Sequence, residues 1–180
     1  MKILITGIGI TGKSSFRRLF MNELRSWGLK VEHYDADKFD EIRHPLEIDC
    51  LKKLPENFLE KTIYIIEDIH ATMDSAVMPL NQYDLIIYLK TGVFSHLMFW
   101  LPRMWKWFES GQFSWEQNKG WMGTGKPKDL RNVIPIVKDM MRDFHNRKKW
   151  VKKDLEAIKN LPHIITSSCW TRHGIKFTWP

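Results

Sequence analysis

The 180-residue sequence has only two cysteines, Cys50 and Cys169, and they lie far apart. That excludes a disulfide framework and a zinc site of paired cysteines, and it fits a reducing compartment. Long hydrophobic runs are also missing. The most apolar late stretch, VFSHLMFWL (93–101), is about half a membrane span and is followed by Pro102 and Arg103. No transmembrane segment is expected. The apolar run at residues 3–5 is too short for a signal peptide and leads straight into glycines and a lysine. Internal repeats and low-complexity linkers are absent. These absences predict one cytoplasmic domain spanning 1–180, long enough to bury a core.

What is present is unevenly placed. Residues 1–90 carry 12 Lys+Arg and 14 Asp+Glu, a net of −2, whereas residues 91–180 carry 16 and 7, a net of +9. Eight of the nine tryptophans fall in the second half. A basic, aromatic-rich half suggests an anionic partner, either nucleotide phosphates or a nucleic acid. The plainer reading is a solvated basic helix, because KKWVKK (148–153) alone supplies four of the charges.

Hydrophobic periodicity orders the elements. KILIT (2–6), KVEHYD (30–35), KTIYIIED (61–68) and DLIIYLK (84–90) read as strands, and PHIITS (162–167) as a last one. Between the first two, Phe16, Leu19, Phe20, Leu24 and Trp27 repeat at helical spacing, with Gly28 as a stop. HPLEIDCLKKLP (44–55) reads as a short helix. Strand–helix alternation at this spacing predicts an α/β fold with a mostly parallel five-stranded sheet. Residues 93–108 read as a helix kinked or broken near Pro102. Residues 109–129 read as a loop. Residues 134–160 read as a helix with Val137, Met140, Met141, Phe144, Val151, Leu155 and Ile158 on its apolar stripe. The span 93–130 is expected to be a lid or acceptor-side insertion.

The chemistry starts in the glycine loop. GIGITGKS (7–14) fits G-x-x-x-x-G-K-[ST] between a strand and a helix. In that context, backbone N–H groups wrap phosphates and the helix N-terminus adds a favourable dipole. Gly7, Gly9, Ile10, Thr11, Gly12, Lys13, Ser14 and Ser15 are the expected nucleotide-binding residues. Lys13 should reach the β- and γ-phosphates and Ser14 should ligate Mg²⁺.

Two acidic strand ends follow. Asp35 and Asp37 lie at the end of the second strand, where open α/β sheets bind ligands. A carboxylate there can take the proton of an attacking hydroxyl or hold Mg²⁺ through water. Glu67 and Asp68 end the third apolar strand in the Walker B manner. Neighbouring strand residues point oppositely, so one of the pair should face the site, and Glu67 is the preferred one.

With these stretches together, the chain resembles the P-loop small-molecule kinases, particularly the uridine kinase and phosphoribulokinase-like branch. The resemblance rests on GIGITGKSS, Asp37-Lys38-Phe39 and Ile65-Ile66-Glu67-Asp68-Ile69-His70, and covers about residues 1–92. Adenylylsulfate kinase is similar around Tyr34-Asp35-Ala36-Asp37-Lys38. The resemblance implies a three-layer αβα P-loop fold with a helical lid, ATP and Mg²⁺ as cofactors, and Asp37 as general base. It implies that Glu67 binds substrate or the hydrated Mg²⁺. Asp68 stands where uridine kinases carry glycine, and the arginine-rich lid of that family is replaced by a tryptophan-rich segment. Arg103, Arg131, Arg142 and Arg147 are the available lid cations. Arg103 is chosen on position, while Arg142 and Arg147 read as a solvated helix face.

Trp100, Trp105, Trp107, Trp115 and Trp121 read first as helix packing or a homodimer surface, and otherwise as a base-stacking pocket or membrane-interface contact. A GTPase is excluded on motif grounds: NQYD (81–84) lacks the lysine of N-K-x-D and precedes its strand. The expected function is an ATP-dependent kinase acting on a hydroxyl of a small-molecule acceptor. The alternatives are a nucleic-acid end kinase, which is not favoured, and a non-catalytic nucleotide-binding module.

Overall fold

A computed structural model describes residues 1–35, 62–68, 78–111, 126–172 and 174–179 of the chain. The elements in order are β1 (Lys2–Thr6), α1 (Lys13–Ser26), β2 (Lys30–Asp35), β3 (Thr62–Glu67), β4 (Leu85–Thr91), α2 (Val93–Ser110), α3 (Val133–Ile158), β5 (His163–Thr171) and β6 (Gly174–Thr178). The strands form one sheet in the order β2-β3-β1-β4-β5-β6. The first five in that order pair in parallel, and β6 returns antiparallel to β5.

The continuous apolar strands have a simple cause: both sheet faces are covered. Leu4, Ile66, Ile86 and Tyr88 face one side, where Leu155 and Ile158 of α3 pack. Ile3, Ile5, Ile65, Ile87 and Leu89 face the other, where Phe16, Met21 and Leu24 of α1 pack. A smaller cluster of Trp100, Trp107 and Ile136 joins α2 to α3. The result is a mixed α/β fold with helices on both faces of a mostly parallel sheet.

The structure departs from the sequence reading in several places. Among the described residues the sheet has six strands, where the sequence reading expected five. The extra strand, GIKFT, puts Ile175 and Phe177 in alternation after a tight return, where Thr171 pairs with Gly174. On α1 the buried stripe runs through Phe16, Met21 and Leu24, while Leu19 is 54% and Trp27 66% exposed. On α3, Met141 faces out and Ile136 is buried instead. α2 is neither broken at Pro102 nor ended at residue 108, but runs as one helix to Ser110. The short helix expected at 44–55 lies outside the described residues.

Candidate functional site

The glycine loop links the end of β1 to the start of α1. Gly7 sits at φ 147, and a Cβ there would lie 2.4 Å from the Leu89 carbonyl oxygen, so β4 runs too close for any side chain. Gly12 caps α1 in a left-handed conformation at φ 82, and its carbonyl accepts from the Phe16 N–H at 2.9 Å. The first-turn N–H groups of α1 therefore face the loop, ready for an anion. Ile10 also has a positive φ, 57°, which is strained for a β-branched residue. Its side chain packs on the Trp100–Trp107–Ile136 cluster, which anchors the strained turn to α2 and α3. Ser168 of β5 donates to the Thr11 carbonyl at 2.8 Å, and the Thr11 hydroxyl donates to the Ile8 carbonyl at 3.2 Å. The buried Lys13 ammonium donates to the Gly7 and Ile8 carbonyls, each at 3.0 Å.

The acid at the end of β3 meets this loop. The Ser14 hydroxyl donates to Glu67 Oε1 at 2.6 Å. Arg17, one helical turn after Lys13, donates from Nε to Glu67 Oε2 at 2.9 Å. Arg17 also contacts His33 Nδ1 at 3.2 Å, and His33 Nε2 lies 3.8 Å from Glu67 Oε2. Glu67 is thus a buried carboxylate oriented from two sides, toward Ser14 and toward a cation. Asp35 is in register beside Glu67 on the neighbouring strand. Asp68 points elsewhere: its N–H donates to the Ile5 carbonyl at 3.0 Å, and its charge adds to the burial that pushes the Tyr83 phenol up.

The cations fall differently from the sequence expectation. The exposed Arg103 guanidinium stacks over the Trp107 ring, 4.9 Å from its centroid. Arg147 is not on a solvated face; it is half-buried and donates to the Thr91 carbonyl at the carboxyl end of β4. Burial holds its guanidinium pKa below the ordinary value. His96 on α2 lies within electrostatic reach of Arg147 and Lys13. Its ring is buried, stacks on Phe144 with centroids 5.1 Å apart, and lies beside the Gly9 backbone, though neither ring nitrogen reaches full hydrogen-bond geometry. Burial first, then the positive charges of Arg147 and Lys13, push its pKa down to about 4, partly offset by the Gly9 backbone.

The tertiary structure therefore gathers Lys13, Ser14 and Glu67, with Asp35 in register beside them. It sets Arg103 on Trp107. Asp37, Phe39, His70, Trp115 and Trp121 lie outside the described residues. Arg17, His33 and His96 were not singled out by sequence, and Arg147 was expected on a solvated face. Only Arg17 had a usable signal, its spacing of four from Lys13 on one helix face. Of the expected dimer surface, Trp105 is 60% exposed while Trp100 is fully buried.

The donor chemistry fits the implied cofactors. A hydroxyl and a carboxylate at hydrogen-bond distance form an oxygen set suited to Mg²⁺. The N–H groups of the first turn of α1, next to the left-handed Gly12, offer donors to a polyphosphate. The architecture is compatible with a P-loop-like α/β fold. No protein-family model and no curated protein matches the chain. Among solved structures, a chain from the PezAT toxin–antitoxin system of Streptococcus pneumoniae is similar at 12% identity and a TM-score of 0.42, over 99% of this chain and 70% of that one. Among the described residues, no helix is long and apolar enough to cross a membrane.

Proposed function

We propose that this protein is an ATP-dependent kinase of the P-loop class that phosphorylates a hydroxyl of a small molecule. The observation that carries this reading is the 2.6 Å hydrogen bond from Ser14, at the start of α1, to Glu67, at the end of β3. It joins a phosphate-binding loop to an acid at the place where a hydrated Mg²⁺ is held in such sites.

In this reading the loop N–H groups and Lys13 hold the phosphates of the donor. Ser14 and Glu67 hold the metal, with Asp35 alongside through water. Bound Mg·ATP supplies an electrophilic γ-phosphoryl group whose negative charge is partly neutralised. Arg17 keeps the Glu67 carboxylate turned to Ser14, so its geometry is set before the donor arrives. Asp37 would take the proton of the acceptor hydroxyl as that oxygen bonds to the γ-phosphorus and the bond to the β-phosphate oxygen breaks, with ADP leaving. Arg103 supplies the cation that offsets charge on the transferred group.

The test is ATP turnover against a panel of nucleosides, nucleotides and small alcohols, with Asp37→Ala beside the unaltered protein. We expect turnover with one acceptor class. Asp37→Ala should lose it by about 100-fold or more while ATP affinity is retained. Unchanged turnover in that variant removes Asp37 from the mechanism. ATP binding without turnover on any acceptor favours the non-catalytic module.

A further inference from the structure

A groove of about 460 Å³ runs between the end of β4 and one side of α3. Four cations line it: Lys90 from β4, and Arg147, Lys148 and Lys152 from α3. Its apolar walls are Val151 and Leu155. The spacing explains the assembly. Residues 147/148, 151/152 and 155/156 recur every four positions and so share one helix face. Lys90 is two residues from Tyr88, whose side chain packs with Ile158 of α3, so both point to this helix.

The charge in the groove is not balanced from within. Its single acid, Glu156, is bonded to Lys159 and also feels the charge of Lys152, so one carboxylate is shared among several cations. No carboxylate among the described residues pairs with Arg147, whose polar contact is the Thr91 carbonyl and whose Nε is buried without a hydrogen bond. A half-buried cation in this state gains from an anion brought to it, because its desolvation is otherwise uncompensated. The volume falls in the range of small-ligand pockets. Bare ions have no use for the Val151–Leu155 wall, whereas an organic phosphate does.

We propose that this groove is a second anion site, separate from the glycine loop, that takes the phosphate group of a small organic phosphate. Lys90, Lys148 and Lys152 surround the phosphate, Arg147 meets it from the buried side, and Val151 and Leu155 contact its carbon skeleton. Four cations face one acid in the groove, and the site explains that excess of positive charge. It does not depend on the kinase reading, because it needs no turnover.

The experiment uses inorganic pyrophosphate as the probe, in calorimetric titrations of the full chain. Lys13→Ala weakens anion binding at the loop and leaves the groove intact, so one pyrophosphate should still bind. Adding Lys148→Glu and Lys152→Glu should weaken that remaining site by about ten-fold or more. Both lysines are exposed, so the thermal midpoint should not fall, which separates lost binding from lost folding. Glycerol 3-phosphate should compete with pyrophosphate in Lys13→Ala, and glycerol should not. The proposal is overturned if Lys13→Ala binds no pyrophosphate, or if the charge reversals leave its affinity unchanged. It is also overturned if single-stranded DNA of about 12 nucleotides displaces the probe while glycerol 3-phosphate does not. That outcome assigns the groove to a nucleic-acid backbone.

Discussion

His96 illustrates how much a single residue depends on its surroundings. In sequence it is one polar position in an apolar helix. In the fold its ring is buried beside the glycine loop and within reach of two positive charges. An unfolded imidazole titrates near 6.5, whereas this one stays neutral down to about 4. The unfolded chain therefore binds the extra proton first. Stability contributed by the neutral ring is fully present above pH 6.5 and is lost as the pH falls from 6.5 through about 4. The loss should reach about 3 kcal/mol at the acid end. His96→Phe keeps a ring against Phe144 and removes the proton site. Urea unfolding at pH 7.5 and pH 4.5 should show a smaller pH dependence in that variant. Equal slopes in both proteins would mean that carboxylates alone carry the acid sensitivity. The Glu67 network shows the same dependence on context. Its acid was legible from the end of an apolar strand, but Arg17 and His33 reach it only because α1 and β2 flank β3's carboxyl end.

At the scale of elements, α2 and α3 act together. Pro102 removes one backbone hydrogen-bond donor inside α2, yet the helix continues. What compensates is packing: Trp100 is fully buried, crosses Trp107 edge-on at 5.6 Å between centroids, and shares a cluster with Ile136 and Ile10. Trp100→Ala should cost about 3–5 kcal/mol of stability. Because Ile10 leans on the same cluster, the variant should also weaken ATP binding, measured by calorimetry at a temperature where it remains folded. Undiminished ATP affinity would show that the loop holds its shape without this support. The periodicity of α3 was readable as a helix. Its buried side was not, since Ile136 and Met141 are equally apolar and only the position of α2 decides between them.

For the whole molecule, β6 closes the sheet. Phe177 meets Phe16 of α1 at 5.1 Å and Trp179 meets it at 5.3 Å between ring centroids. Ile175 and Phe99 lie closest to where a Cβ on Gly12 would be, so β6 also backs the glycine loop. Removing residues 174–180 should uncover Phe16 and leave the edge of β5 unpaired. We expect a loss of about 2–4 kcal/mol in thermal or urea unfolding, with aggregation rising in light scattering. A truncated chain as stable as the intact one would show that the strand is dispensable. Single-sequence reading passed over this strand because five residues with two apolar positions carry little signal. An antiparallel edge strand draws its stability from a neighbour 3 to 11 residues back in the pairing, not from its own composition.

The sequence by itself determined the elements whose signal is local. The central strands β1, β3 and β4 are apolar because both their faces are buried, and a buried run needs no context to be recognised. The glycine loop declares itself because its spacing matches what backbone–phosphate approach requires, and Gly7 and Gly12 occupy conformations that favour glycine. Only the tertiary structure decided which charges meet. Glu67 faces Ser14 and Arg17 while Asp68 turns toward Tyr83, Arg147 leaves solvent for the end of β4, and four cations converge on one groove. Those outcomes depend on distances between segments far apart in the chain. Such distances follow from how helices seat on a twisted sheet, and no local pattern of residues encodes them.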